Sequence, residues 1–491
     1  MARRSVAAAF TVVSIDHASP TPLFRQLYEG MRAAILDGQL VAGVRVPSTR
    51  VLARELGVSR HTVLTAFAHL LAEGYVEGKR GAGTYIARIR PDDGARVAAL
   101  SPADRTERAP SRRGGALVPA PTHPDADRPA AFRVGLPALD VFPYRLWSRL
   151  LARHWRRSAR HLLGYDDSAG YRPLREAIAA YLGASRGIRC TPERVIVVSG
   201  GQQASALAAR ALLDPGDAAW IADPGPLGVR AALQLSGVRA IPVPVDDEGL
   251  DVAAGMTRRA DARLACVAPS HQFPLGVTMS LERRAALLEW ARWSGAWILE
   301  GDECSEYRYG GRLMPPLQAL DGADQVVYYG TFSALLFPTL RLGYIVAPPA
   351  LVDAFVAARR AMDLYSPALE QAVLADFIGA GYLAHHVRQM RAVYARRQAA
   401  LVAAATRELS GLLDVRAATS GLSLLGWLPV GVDDRVAARR AAGWGVDTAP
   451  LSSYTVEQAQ PGALLLGYAA TTEAGIEEGV HQLALALDSR T

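Results

Sequence analysis

From Phe132 onward, short apolar runs alternate with stretches long enough to be helices. Val195-Ile196-Val197-Val198, Ala218-Ala219-Trp220-Ile221 and Ala296-Trp297-Ile298-Leu299 are the clearest of these runs. Strands that return parallel to one another need a crossover, and the usual crossover is a helix. The alternation therefore predicts an α/β domain over residues 130–491 with a largely parallel sheet, its last part, from about 365, forming a smaller α+β lobe.

The residues ahead of it follow another pattern. After Ser19-Pro20-Thr21-Pro22, Leu23, Leu27, Met31 and Ile35 recur every four residues, one helical stripe that ends near Gly38. Pro47-Ser48 opens a second helix, with Ser48 as N-cap and Gly57 as its stop. Ser59 caps a third, whose Val63, Leu64, Phe67, Leu70 and Leu71 are expected to face inward before Gly74. Tyr75-Val76-Glu77 and Thr84-Tyr85-Ile86 flank the turn Gly78-Lys79-Arg80-Gly81-Ala82-Gly83 as a hairpin. Three helices and a hairpin make residues 1–90 a winged helix-turn-helix. Residues 91–129, rich in Pro, Arg, Asp, Gly and Ala without apolar periodicity, read as a flexible linker.

Charge divides along the same line. The chain carries +7, and residues 1–90, with eleven Arg and one Lys against two Asp and four Glu, hold +6 of it. A small basic unit on a nearly neutral body suits a polyanion partner. Cys190, Cys266 and Cys304 are widely spaced and form no metal framework. The apolar run Val6 to Val13 is too short for a secretory leader and is taken as an initial strand; no run approaches membrane-spanning length. These features predict a cytoplasmic protein without a membrane partner.

Leu52 to Val63 contains a helix end, a glycine turn and a newly capped helix, which presents the second helix's N-terminus to a DNA major groove. Arg60 and His61 are placed for base edges, and Ser59 and Thr62 for phosphates or bases. Arg50 and the turn residues Lys79, Arg80 and Gly81 are placed to grip phosphate or enter the minor groove. Pro22-Leu23-Phe24-Arg25-Gln26-Leu27-Tyr28 through Gly81-Ala82-Gly83-Thr84-Tyr85 resembles the winged helix of GntR-type regulators. Several later segments resemble the fold-type I aminotransferase-like domain that the MocR subfamily joins to it. These are Ala169-Gly170-Tyr171, Ser199-Gly200-Gly201-Gln202-Gln203, Ala222-Asp223-Pro224-Gly225, Pro269 to Pro274 and Leu340-Arg341-Leu342-Gly343-Tyr344.

That resemblance implies a homodimer, a double-stranded operator and a pyridoxal-phosphate (PLP) site in two halves. Gly201, Gln202, Thr331, Ser333 and Arg341 match the phosphate half. The ring half departs. Ala334, seven residues before Arg341, stands where the family has its Schiff-base lysine; Lys79 is the only lysine in the chain. Gly301 replaces the aspartate that pairs with the ring nitrogen, unless a one-residue shift gives that place to Asp302. Glu303 replaces the tyrosine on the ring oxygen, Pro226 replaces the stacking aromatic, and Leu465 lies near the place of the arginine that takes a substrate carboxylate. His271, Asp302, Glu303 and Cys304 have no spacing that argues a hydrolytic triad.

The expectation is a DNA-binding transcriptional regulator without catalytic or metal-ligating residues. Its aminotransferase-like domain dimerises and senses a small, phosphorylated ligand, with no covalently bound cofactor. The alternatives are a regulator that binds PLP noncovalently and a PLP-dependent aminotransferase. Arginine cannot supply the neutral amine the latter needs.

Overall fold

A computed structural model describes residues 13–79, 83–88, 109–117, 130–310, 314–457 and 461–488, the side chains of 157–161 excepted. The initial strand expected over Val6 to Val13 lies outside them but for Val13, and so do Arg80 and Gly81. The chain divides into two compact units, Met1–Arg108 and Ala109–Thr491.

In the first unit α1 (Leu23–Leu36), α2 (Thr49–Glu55) and α3 (Arg60–Ala72) precede an antiparallel hairpin of β1 (Val76–Lys79) and β2 (Gly83–Ile86). Both expected caps form: Ser48 Oγ accepts from the Val51 amide at 3.4 Å and Ser59 Oγ from the Thr62 amide at 3.0 Å. Leu27, Met31 and Ile35 of α1 meet Val63, Phe67 and Leu70 of α3 in a core closed by Val76 and Ile86. Leu64 and Leu71 correct the sequence reading. They are 45% and 55% exposed, because 63, 67 and 70 already fill the stripe facing α1 and the pair lies about 100° round the helix from it.

The segment read as linker is not all free chain. Ser111 caps a single helical turn, α4 (Arg112–Gly115), and Arg113 donates to the Leu235 carbonyl at 3.3 Å, so residues 109–117 pack on the second unit.

The second unit opens with α5 (Tyr144–Leu162) and α6 (Arg172–Arg186). Among the described residues its sheet has eight strands: β3 (Val195–Val198), β4 (Ala218–Asp223), β5 (Arg239–Asp246), β6 (Gly249–Leu250), β7 (Leu264–Val267), β8 (Trp297–Asp302), β9 (Val326–Thr331) and β10 (Gly343–Val346). Their order is β3-β10-β9-β8-β7-β4-β5-β6; β9, β8, β7, β4 and β5 run parallel, while β10 is antiparallel to both neighbours and β6 to β5. Helices α7 (Gly201–Leu212) and α8 (Leu227–Leu235) follow β3 and β4. Apolar clusters cover both faces, one with α7 and α8, the other built on Trp220 stacked at 3.8 Å on Trp290. Further along, β11 (Asp414–Val415), β12 (Ser423–Trp427), β13 (Ala449–Pro450) and β14 (Ala463–Gly467) form an antiparallel sheet of order β11-β12-β14-β13. Leu465, on β14, is buried among Val134, Phe273, Leu425 and Tyr454.

One buried carboxyl in β8 makes stability pH-dependent. Glu300, fully buried, accepts from the Leu317 and Gln318 amides at 2.9 and 2.8 Å. Burial pushes its pKa up to about 7, further than those two bonds hold it down. A raised folded pKa gives a stabilisation that is complete below the unfolded value and lost as pH rises through about 7. His271 acts in the opposite sense: burial lowers it to about 4, so its contribution is lost as pH falls through that value. The clean measurement is therefore a difference. Between pH 4 and pH 8 the gap in unfolding free energy between the native protein and Glu300→Gln should change by about 3 kcal/mol, the native protein losing ground at high pH. Parallel urea-unfolding profiles would contradict this.

Candidate functional site

At the N-terminus of α3, Ser59, Arg60 and His61 are exposed and Thr62 half-buried, and Arg50 is exposed on α2. The Ser59 and Thr62 hydroxyls lie 2.8 Å apart, so both are engaged in the cap while Arg60 and His61 project from it. Arg60 Nε reaches Thr49 Oγ1 at 3.4 Å, which ties the third helix's first residue to the second helix. In the hairpin, Lys79 Nζ is 3.4 Å from Glu77 and 5.0 Å from the centre of the Tyr85 ring. Sequence reasoning missed Arg45. Its guanidinium stands 3.0 Å from where a Cβ on Gly83 would be, at the base of the hairpin, and its backbone bridges to Tyr85. Being forty residues from the wing, it carries no local signal of this.

In the second unit Thr331 and Arg341, both assigned to the phosphate half, converge on the start of α7, where Gly201 and Gln202 lie. Gly200, at φ 102°, is its N-cap, in a conformation that favours glycine. Arg341 Nη1 and Thr331 Oγ1 lie 3.5 and 3.6 Å from where a Cβ on Gly200 would stand. Thr331 Oγ1 accepts from the Ser333 amide at 3.1 Å, and Ser333 Oγ is buried with no hydrogen-bond partner. Arg341 sits in the left-handed region, φ 48° and ψ 44°. Gln202 is exposed on the first turn of α7, its side-chain oxygen 3.7 Å from a Cβ on Gly228. Free amides at a helix start, two hydroxyls and a guanidinium are chemistry suited to a phosphate.

The ring half is built differently. Ala334 is half-buried in the turn after β9 and offers no nucleophile. Gly301 faces Tyr329 of the neighbouring strand, whose hydroxyl stands 2.5 Å from a Cβ position on Gly301, so no aspartate fits there. Asp302, the alternative ring partner, is committed elsewhere: it pairs with Arg186 at the end of α6 and accepts from the Tyr328 hydroxyl at 2.8 Å. Successive strand residues point to opposite faces, and Asp302 points away from the face of Gly301. Pro226 caps α8 and, with Tyr329, Cys266, Gln272 and Tyr454, lines a cavity of about 30 Å³. The phosphate half offers the chemistry a phosphate needs, while the ring half lacks the lysine at 334, the aspartate at 301 and the stacking aromatic at 226.

His271 and Cys304 lie in packed surroundings. His271 Nδ1 is 3.0 Å from Ser420 Oγ, and a buried Arg284 holds the Pro269 carbonyl at 2.8 Å. Burial, and the carboxylates of Glu303, Glu306 and Asp302, push the Cys304 thiol well up and leave it unreactive. Among the described residues no three His, Cys, Asp or Glu are placed to hold a metal, and no helix is long and apolar enough to cross a membrane.

Comparison with known proteins agrees with both units. Residues 23–86 match the gntR family of bacterial regulatory proteins and residues 146–483 match aminotransferase class I and II. Over 97% of this chain and 96% of its own length, the probable rhizopine catabolism regulatory protein MocR of Rhizobium meliloti is 42% identical. The chain belongs to the MocR-type regulators. As a MocR-type protein it is a DNA-binding transcriptional regulator. The pyridoxine biosynthesis transcriptional regulator PdxR of Corynebacterium glutamicum is 31% identical over 79% of each chain. Among solved structures, LysN, an α-aminoadipate aminotransferase of Thermus thermophilus complexed with N-(5'-phosphopyridoxyl)-L-leucine, superposes with a TM-score of 0.67 at 30% identity, covering 72% of this chain and 91% of LysN. The MocR-type large domain thus has a fold associated with PLP.

Proposed function

We propose that this regulator reads its operator through Arg60, His61 and Arg50, with Lys79 and its turn on the backbone, as a cytoplasmic homodimer held by its large domain. Tethering two small DNA-binding units raises the effective concentration of the second at its half-site. Arg60→Ala should reduce discrimination between operator and random DNA by about 1–3 kcal/mol, the worth of a bidentate base contact. Lys79→Ala should weaken both kinds of binding and flatten the salt dependence. Mobility shifts across salt concentrations test this; equal affinity of the native protein for operator and random duplexes would reject it.

The large domain, in this reading, holds a phosphate-bearing ligand without forming a covalent bond to it and without transamination. The observation that carries the reading is the meeting of Arg341, Thr331 and the start of α7 at Gly200, beside an alanine at 334. The ligand acts by favouring one disposition of the DNA-binding units, which requires different affinities for the two states. Added PLP should produce no lysine Schiff base in residues 130–491: borohydride reduction followed by peptide mapping should find no label there. A stable visible-edge absorbance band tied to a large-domain residue would overturn this. Noncovalent PLP binding that is lost in Arg341→Ala would favour the second reading, in which PLP itself is the effector, as the name of PdxR suggests for that relative.

A further inference from the structure

The cradle at Gly200 has a neighbour that a phosphate does not explain. Glu303 Oε1 stands 2.5 Å from where a Cβ on Gly201 would be, one residue along from the glycine that Arg341 and Thr331 face. Glu303 is exposed and makes no hydrogen bond or ion pair among the described residues. Ser333 Oγ is buried without a partner, and Arg341 also has no carboxylate partner among them. Open groups of both signs thus stand over two consecutive residues, whose Cα atoms are about 3.8 Å apart. On the far side Tyr329 fills the space above Gly301. A ligand that spans the cradle and Glu303 is therefore short.

Resting on the reading that the cradle holds a phosphate, we propose that the ligand is a short aminoalkyl phosphate. Its phosphomonoester lies at Arg341, Thr331 and Ser333, and an ammonium group two or three atoms beyond the ester oxygen faces Glu303. A neutral hydroxyl would also satisfy the acceptors of Glu303, but it would leave a carboxylate beside a phosphate with nothing between them to offset the repulsion. A cation arriving there favours the ionised form and is bound the more tightly for it.

The test uses O-phosphoethanolamine, ethyl phosphate and inorganic phosphate, titrated calorimetrically into the full-length protein, Glu303→Gln and Arg341→Ala. The native protein should bind O-phosphoethanolamine about tenfold or more tightly than ethyl phosphate, which matches it in length and lacks the amine. Glu303→Gln should remove that preference while still binding ethyl phosphate. Equal affinity of the native protein for the two esters, with binding still lost in Arg341→Ala, would overturn the proposal and leave the phosphate cradle standing. A preference that persists in Glu303→Gln would overturn the assignment to Glu303. Failure of all three compounds to bind would overturn the cradle and the proposal together. The comparison of the two esters on the native protein does not depend on how any variant folds.

Discussion

Replacing Arg186 by methionine is expected to cost the large domain about 3–5 kcal/mol, because it strands a carboxylate where water cannot reach it. Arg186 and Asp302 are both nearly fully buried, at 3% and 2% side-chain exposure. Arg186 also donates to Ser270 Oγ at 3.0 Å, and Asp302 accepts from Tyr328, so the pair joins the end of α6, the last residue of β8 and the loop after β7. An intact buried pair adds little net stability, since its attraction is set against the desolvation of two ions. Breaking it leaves one ion with the whole penalty. The double variant Arg186→Met with Asp302→Leu should therefore recover most of the loss. Urea unfolding of the two single variants and the double checks this through the coupling energy; a double variant as unstable as the sum of the singles would show that the two residues act independently.

Arg341→Ala is expected to weaken binding of phosphate esters by about 10-fold or more, the cost of removing one charge-assisted hydrogen-bond partner. The backbone complicates the variant, since φ 48° at residue 341 disfavours alanine as it does arginine. Arg341→Gly separates the effects. Glycine adopts that conformation without strain, so this variant should be at least as well folded while losing phosphate to the same degree. Calorimetry and thermal unfolding on both variants suffice: retention of phosphate affinity in Arg341→Gly would remove the guanidinium from the cradle.

How far the sequence can be read depends on how far apart in the chain the interacting groups lie. The helix-turn-helix was legible because its decisive bonds, Ser48 to the Val51 amide and Ser59 to the Thr62 amide, span three residues and leave a spacing in the sequence. Strands β3, β4 and β8 were legible because each contains an apolar run. Which face a residue takes was harder. Leu64 and Leu71 have the same chemistry as their buried neighbours, and only the position of α1 decides that they stay outside. Gly301 and Asp302 differ by one place in the chain, yet one faces Tyr329 and the other Arg186, 116 residues away. No local pattern records that separation. The cradle lay between these cases. Its residues were picked out by resemblance, but the convergence of positions 200, 331 and 341 on one point follows from β3, β10 and β9 lying side by side. Arg45 and the turn at Arg112–Gly115 were missed for the same reason: what holds each is far away in the chain.

A chain with a single lysine has a single side-chain amine, and here it belongs to Lys79, at the end of β1 in the DNA-binding unit. Its side chain is 58% exposed, paired with a similarly accessible Glu77 and lying over Tyr85. Acylating reagents and acetyl-transferring enzymes, which favour amines and pass over guanidinium groups, therefore meet one side-chain amine on this protein. Modification there deletes a positive charge from the wing, and the large domain has no side-chain amine to lose. Chemistry that on most proteins scatters over the whole surface is confined in this one to the unit that meets DNA.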